Sequence, residues 1–205
     1  FDGKKPKPYV ETDNPAPLGV YGQSKWQGEQ LLANTLEQHL ILRVSWVFSQ
    51  RRQNFVKTML RLCQEREQLK IVEDQIGCPT PASDIARVLI AIAQQVDCGA
   101  NQWGVFHYCA KGTTNWHEYA QQIIDLARDY VHVATHRIDP VTTDEYGFRA
   151  QRPLNSVMSC GKILNSYGIQ QRPWKSELVK VVERLCARGF EEDESQQTVA
   201  SRFGH

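Results

Sequence analysis

The sequence has no Cys-x-x-Cys pair, no ligand-like spacing among its six histidines, no internal repeat and no long apolar run. Each absence excludes something. Without paired cysteines there is neither a zinc ribbon nor a thioredoxin-like redox motif. Without ~18–20 consecutive apolar residues there is no membrane span, and no membrane partner is expected. Charge of one sign is also missing: 24 Lys plus Arg against 23 Asp plus Glu leave a formal charge of +1. Phosphate backbones are met by clustered Lys and Arg, so nucleic acid is not an expected partner either. The chain opens at Phe1, with no Met and no basic-then-apolar leader. That reads as an N-terminus that was processed or cut.

What is present suits a globular α/β protein. A length of 205 residues fits one domain, or a domain with a small appendage, and 41% hydrophobic residues allow a sizeable core. Cys63, Cys109 and Cys186 fall inside apolar helix or strand patterns. Buried free thiols are therefore expected, as in a reducing, cytoplasmic setting. His107, within an apolar strand, reads as a hydrogen-bonded core residue.

Residues 1–19, with Pro6, Pro8, Pro15 and Pro17, read as an irregular loop. A helix is predicted from about Val20 to Gln38, then a near-continuous apolar strand from His39 to Phe48, of the kind covered on both faces in a parallel sheet. Asn54 is placed to cap a helix to about Gln64, and Leu69 to Glu73 alternates as a short strand. Ser83 precedes an amphipathic helix carrying Ile85, Val88, Leu89, Ile92 and Val96. Trp103 to Ala110 is a second apolar strand, and Asn115 with Glu118 has capping-box spacing before a helix to about Tyr130. A weak strand near Val131–Ile138, loops around Pro140 and Pro153, a last helix stopping at Gly189 and a polar tail over 191–205 complete the chain. Strands alternating with helices argue for an α/β fold with a mostly parallel sheet.

The strongest chemical signal is Tyr21-Gly-Gln-Ser-Lys25, opening the first helix. A free phenol has a pKa near 10 and is a poor proton donor or acceptor at neutral pH. A lysine one turn later projects from the same face, and its charge favours the phenolate. The same ammonium can hydrogen-bond ribose hydroxyls. Taken alone, the pair reads first as a surface tyrosine packed on a lysine stem. Gly28 continues the face and would permit another backbone to approach.

The wider string Tyr-Gly-x-Ser-Lys-x-x-Gly-Glu, at Tyr21 to Glu29, is followed by a strand ending Arg43-Val-Ser-Trp46. This resembles the extended short-chain dehydrogenase/reductase family and, within it, the dTDP-4-dehydrorhamnose reductases. Further strings fall in family order. They are Phe1-Asp-Gly3, Pro8-Tyr-Val-Glu-Thr12, Pro17-Leu-Gly-Val-Tyr21, the run Asn54 to Leu62, Asp74-Gln75 with Gly77 and Pro79-Thr80, Gly112-Thr-Thr-Asn-Trp116, and Arg152-Pro-x-Asn-Ser156. The resemblance runs from Phe1 to about Gly189.

The resemblance implies a partial Rossmann-type parallel sheet with a smaller α/β substrate-binding domain. Residues 1–50, with 76–112 returning, would belong to the NAD(P)-binding part, and 51–75 with 113–190 to the substrate-binding part. It implies reduction of the 4-keto group of dTDP-4-dehydro-L-rhamnose to dTDP-L-rhamnose, with NADPH (or NADH) as cofactor. Tyr21 would donate the proton, and Lys25 would hold the ribose and tune Tyr21. Val44 and Ser45 would lie near the nicotinamide, and Trp46 would flank the sugar or serve as a core aromatic. Asn54 would meet the diphosphate, or be a plain N-cap. Arg152 would be a diphosphate or pocket cation, or a surface ion-pair partner. Asp74 and Gln75 are expected to shape the turn into Gly77.

Two family parts are missing from the sequence: the Gly-rich dinucleotide loop and the Ser/Thr that completes the Tyr/Lys site. The chain therefore reads as the C-terminal part of a reductase, expected to be inactive alone, with sheet strands that lack neighbours. A companion N-terminal half or self-association would cover them. Two other readings stay open: a non-catalytic binding subunit resembling the regulatory subunit of methionine adenosyltransferase, and a related nucleotide-sugar epimerase or dehydratase.

Overall fold

The apolar run from His39 to Phe48 forms two strands where one was expected. In a computed structural model that describes residues 1–147 and 150–187, β1 spans Leu40–Arg43 and β2 spans Val47–Phe48. The break falls at Trp46, whose φ of 46° is left-handed and incompatible with a continuing strand. β1 is half-buried along its length rather than covered on both faces.

Around these strands the order is helix α1 (Val20–Thr35) before β1, and α2 (Phe55–Glu65), β3 (Gln68–Val72), β4 (Ile76–Gly77), β5 (Thr80–Pro81) and α3 (Ala82–Asp97) after β2. Then follow β6 (Gly104–His107), β7 (Thr114–Asn115), α4 (Trp116–Ala127), β8 (Arg137–Val141), α5 (Thr143–Tyr146), α6 (Gly161–Tyr167) and α7 (Trp174–Ala187). β1 pairs in parallel with β6, β2 with β5, and β3 with β8, while β4 and β7 pair antiparallel. Leu40 lies opposite Gly104 and Arg43 opposite His107. The architecture is mixed α/β with mostly parallel pairing. Among the described residues β1 has a strand on one side only. No helix there is long and apolar enough to cross a membrane.

Several local expectations need correction. The late strand is Arg137–Val141, running through Pro140, and not Val131–Ile138. Proline gives up a ladder donor and is tolerated in such a peripheral strand. α3 is preceded by Pro81 as its cap residue, not Ser83, and no side chain caps it. Asn115 does accept the Glu118 backbone N–H at 2.8 Å, but the Glu118 carboxylate accepts from Thr114 Oγ1, so the box is one-sided. The reciprocal box sits at Thr142 and Glu145, opening the short α5. The predicted helix end at Gly189 and the tail over 191–205 lie outside the described residues.

Two apolar clusters hold the fold. In the first, α2 buries Val56, Met59, Leu60 and Cys63, a stripe at helical spacing, against Ile123 and Ile124 of α4 and Leu178 and Val182 of α7. In the second, Val88 and Ile92 of α3 meet Phe106, Tyr108, Met158, Ile163 and Tyr167. All six cysteines are free thiols, and four are buried. Burial pushes the Cys63 thiol up to about 11, which leaves it un-ionised and unreactive.

Candidate active site

Tyr21 and Lys25 stand one turn apart on α1, with Lys25 Nζ 5.6 Å from the centre of the Tyr21 ring. Tyr21 is 77% exposed, and no residue of α1 is buried. One charged contact ties the helix to the sheet. Glu29 accepts from Arg43 Nε at 3.0 Å and from Nη2 at 2.6 Å, a two-pronged pair with both side chains mostly covered. Arg43 ends β1, so this contact ties α1 to the strand that leads into Val44, Ser45 and Trp46. The close approach expected at Gly28 is not there: nothing lies within 4 Å of the position a Cβ would take. It occurs instead at Gly22, where a Cβ would come within 2.9 Å of Pro17.

Behind Arg43 lies His107, fully buried. Its backbone N–H donates to Glu11 Oε1 at 2.9 Å, and its Nδ1 lies 3.2 Å from the Tyr9 carbonyl. A carbonyl can only accept, so Nδ1 carries the proton and the Nε2 lone pair faces Arg43 Nη1 at 3.5 Å. Burial holds the imidazole pKa below its usual value, Arg43 adds to that, and the Glu11 carboxylate opposes it. The stabilisation from neutral His107 is therefore complete above the unfolded pKa of about 6.5. It is lost as pH falls, because the unfolded chain then binds a proton that the native site refuses. Melting curves are expected to show Tm dropping between about pH 7.5 and pH 5.5, with a flatter slope in His107→Gln. An unchanged slope in that variant would assign the pH dependence to other groups.

Ser45 Oγ donates to the Cys78 carbonyl at 3.2 Å, and the Trp46 carbonyl accepts from Thr80 N at 3.0 Å. The Trp46 indole stacks on Trp116, with centroids 3.6 Å apart and planes 11° from parallel. Phe55 packs against Trp116 from another side at 4.6 Å. The edge of the Trp46 ring fills the space beside Gly77, where a Cβ would fall 2.3 Å from Cε2. Gln75, expected only to shape the turn, is 3% exposed and reaches further. Its Oε1 accepts from Trp116 Nε1 at 3.1 Å and its Nε2 donates to Thr143 Oγ1 at 3.0 Å. Asp74 accepts from Thr143 Oγ1 at 2.7 Å and from its backbone N–H at 2.9 Å.

Asn54 is the N-cap of α2, accepting from Val56 N at 3.1 Å, while its amide donates to the Ser49 carbonyl at 2.8 Å. It adjoins Phe55 and hence the indole stack. Arg152 is exposed, two residues before Leu154, whose carbonyl accepts from Ile76 N at 2.7 Å. The segment therefore runs beside β4 and Gly77. Asn155 is structural: its amide donates to the Lys5 carbonyl at 2.7 Å. Thus Val44, Ser45 and Trp46 follow directly on the strand tied to α1, and Asn54 and the Arg152 segment flank the stack. Trp116, Thr143 and the reach of Gln75 were not anticipated. Their partners are 41 and 68 residues apart in sequence, and no spacing rule spans that.

Residues 1–187 match the protein family described as RmlD substrate binding domain. The chain is 37% identical over 191 residues to the dTDP-4-dehydrorhamnose reductase of Sinorhizobium fredii, covering 92% of this chain and 64% of that protein. Among solved structures, a dTDP-4-dehydrorhamnose reductase from Clostridium acetobutylicum superposes with a TM-score of 0.81 at 31% identity, over 90% of this chain and 62% of that one. The reductase from Bacillus anthracis, solved in complex with NADP, gives 0.78 at 34% identity, over the same shares of the two chains. The chain spans a little under two thirds of the length of these relatives.

Proposed function

Because the chain belongs to the RmlD substrate-binding-domain family, we propose that it carries the proton-donating and sugar-binding part of a dTDP-4-dehydrorhamnose reductase. The reaction is reduction of the 4-keto group of dTDP-4-dehydro-L-rhamnose to dTDP-L-rhamnose, a step of nucleotide-sugar biosynthesis. The observation that carries this reading is the Tyr21–Lys25 pair, one turn apart on an exposed face and tied through Arg43 to the strand leading into Trp46.

NADPH or NADH supplies the hydride that adds to C4. Tyr21 gives its phenolic proton to the carbonyl oxygen as negative charge builds there, so the product is an alcohol. Lys25 stabilises the phenolate left behind and is free on its exposed face to meet ribose hydroxyls. Val44 and Ser45 line the nicotinamide end, and the flat Trp46 ring offers the sugar an apolar wall. Asn54, whose Oδ1 caps α2 and whose amide nitrogen donates to the Ser49 carbonyl, would meet the diphosphate only through the α2 N-terminus, and Arg152 would supply a cation from the other side. These residues fit the nicotinamide-ribose end of the cofactor. The 205 residues contain no Gly-rich loop for its phosphates, which we place with residues outside this chain.

We divide the molecule close to where the two apolar clusters lie, although Phe48 and Ala110, and Trp46 beside them, pack in the cluster of the sugar side. Residues 1–50 and 76–112 belong to the cofactor side, and 51–75 and 113–190 to the sugar side. The stretch 158–169 is set apart, because its apolar residues pack in the cluster of the cofactor side.

The test is a chimera joining these residues to the unmatched remainder of the S. fredii relative. Loss of NADPH absorbance that depends on dTDP-4-dehydro-L-rhamnose, with dTDP-L-rhamnose as product, is expected. A folded chimera that binds both ligands and turns over neither would overturn the reading.

A further inference from the structure

We infer that Gln75 is a positioning residue, fixing the orientation of the Trp46 ring through Trp116. The inference rests on the proposed contact of Trp46 with the sugar. Trp46 sits on left-handed backbone (φ 46°), a conformation that a bulky residue keeps only where its surroundings over-determine it. The stack on Trp116 sets the spacing and tilt of the ring. It does not set the slide of one ring over the other, so something must hold Trp116 in its own plane.

Gln75 does this with a hydrogen-bond direction that cannot be reversed. The Asp74 carboxylate only accepts, so Thr143 Oγ1 donates to it, at 2.7 Å. Thr143 Oγ1 then accepts from Gln75 Nε2, at 3.0 Å. That leaves Gln75 Oε1 to accept from the Trp116 indole, which can only donate, at 3.1 Å. Flipping the amide would set two donors against each other at the indole. The hydrogen-bond chain draws on three separate segments, and its central member is 3% exposed. It therefore transmits one fixed orientation from the carboxylate of Asp74 to the pair of indoles.

Closely stacked indoles couple their transitions, so the pair should give a circular-dichroism couplet, defined by subtracting the spectrum of Trp46→Phe. In the ligand-free chain, Gln75→Met is expected to lose at least about half of that couplet, since it keeps the bulk and removes the directional acceptor. Thr143→Val, which frees the amide to turn, is expected to lose part of it and serves if Gln75→Met does not fold. In the chimera described above, Gln75→Met is expected to raise KM for the sugar nucleotide about tenfold with kcat little changed. A parental couplet in both folded variants would overturn the inference. A lost couplet with unchanged KM would leave the positioning in place and count instead against the sugar contact of Trp46.

Discussion

Tyr21→Phe is expected to lower kcat by roughly 10²–10⁴-fold in a chimera that supplies the cofactor site, the range that a positioned proton donor contributes. The substitution removes one oxygen from a ring that is 77% exposed and has no buried neighbour on its own helix. Tm should therefore stay where it was, and KM for the sugar nucleotide should change little. Steady-state kinetics alongside a melting curve check both. Loss of activity with intact Tm places the defect in proton transfer, while a variant retaining most of its kcat would show that the proton comes from elsewhere.

Gly77→Ala is expected to have the second largest effect, and by a different route. The new Cβ would lie 2.3 Å from Cε2 and 2.6 Å from Nε1 of Trp46. The ring has little freedom to withdraw, because Trp116 lies 3.6 Å away on its face and the Trp46 carbonyl is held by Thr80. Overpacking a site of this kind costs about 1–3 kcal/mol. For a chain of this length that corresponds to a fall in Tm of about 2–12 °C. Sugar binding should weaken at the same time, since the ring that is displaced is the one proposed to meet the ligand. Gly28→Ala is the control: with open space around it and a place inside a helix, it should raise Tm slightly. Equal melting temperatures for Gly77→Ala and the parent would mean that the indole moves freely.

The amphipathic helices were legible because their signal is local. The stripe of Val56, Met59, Leu60 and Cys63 identifies α2 with no knowledge of what it packs against, and Tyr21 and Lys25 announce themselves by the same four-residue spacing. β8 was misplaced because Pro140 argues against a strand wherever the partner is unknown. Only the pairing of Ile71 with Pro140 makes the position acceptable. The break at Trp46 was hidden by an apolar run that looks continuous in one dimension. It becomes necessary only once Gly77 and Trp116 have to be brought to the same ring. Gln75 shows the same limit at the level of the site. A single amide beside a turn carries no mark of partners on two other elements.

No residue of the helix bearing Tyr21 and Lys25 is fully buried, and this has a thermodynamic consequence for any ligand it meets. A 16-residue helix with no fully buried residue is only marginally stable by its own hydrogen bonds. Its amides should exchange with solvent through local opening rather than through global unfolding. A ligand that needs both side chains in register binds only the closed fraction of that equilibrium, and its apparent affinity is scaled by that fraction. Anything that covers the outer face of the helix would then tighten binding at Tyr21 and Lys25 without touching the ligand.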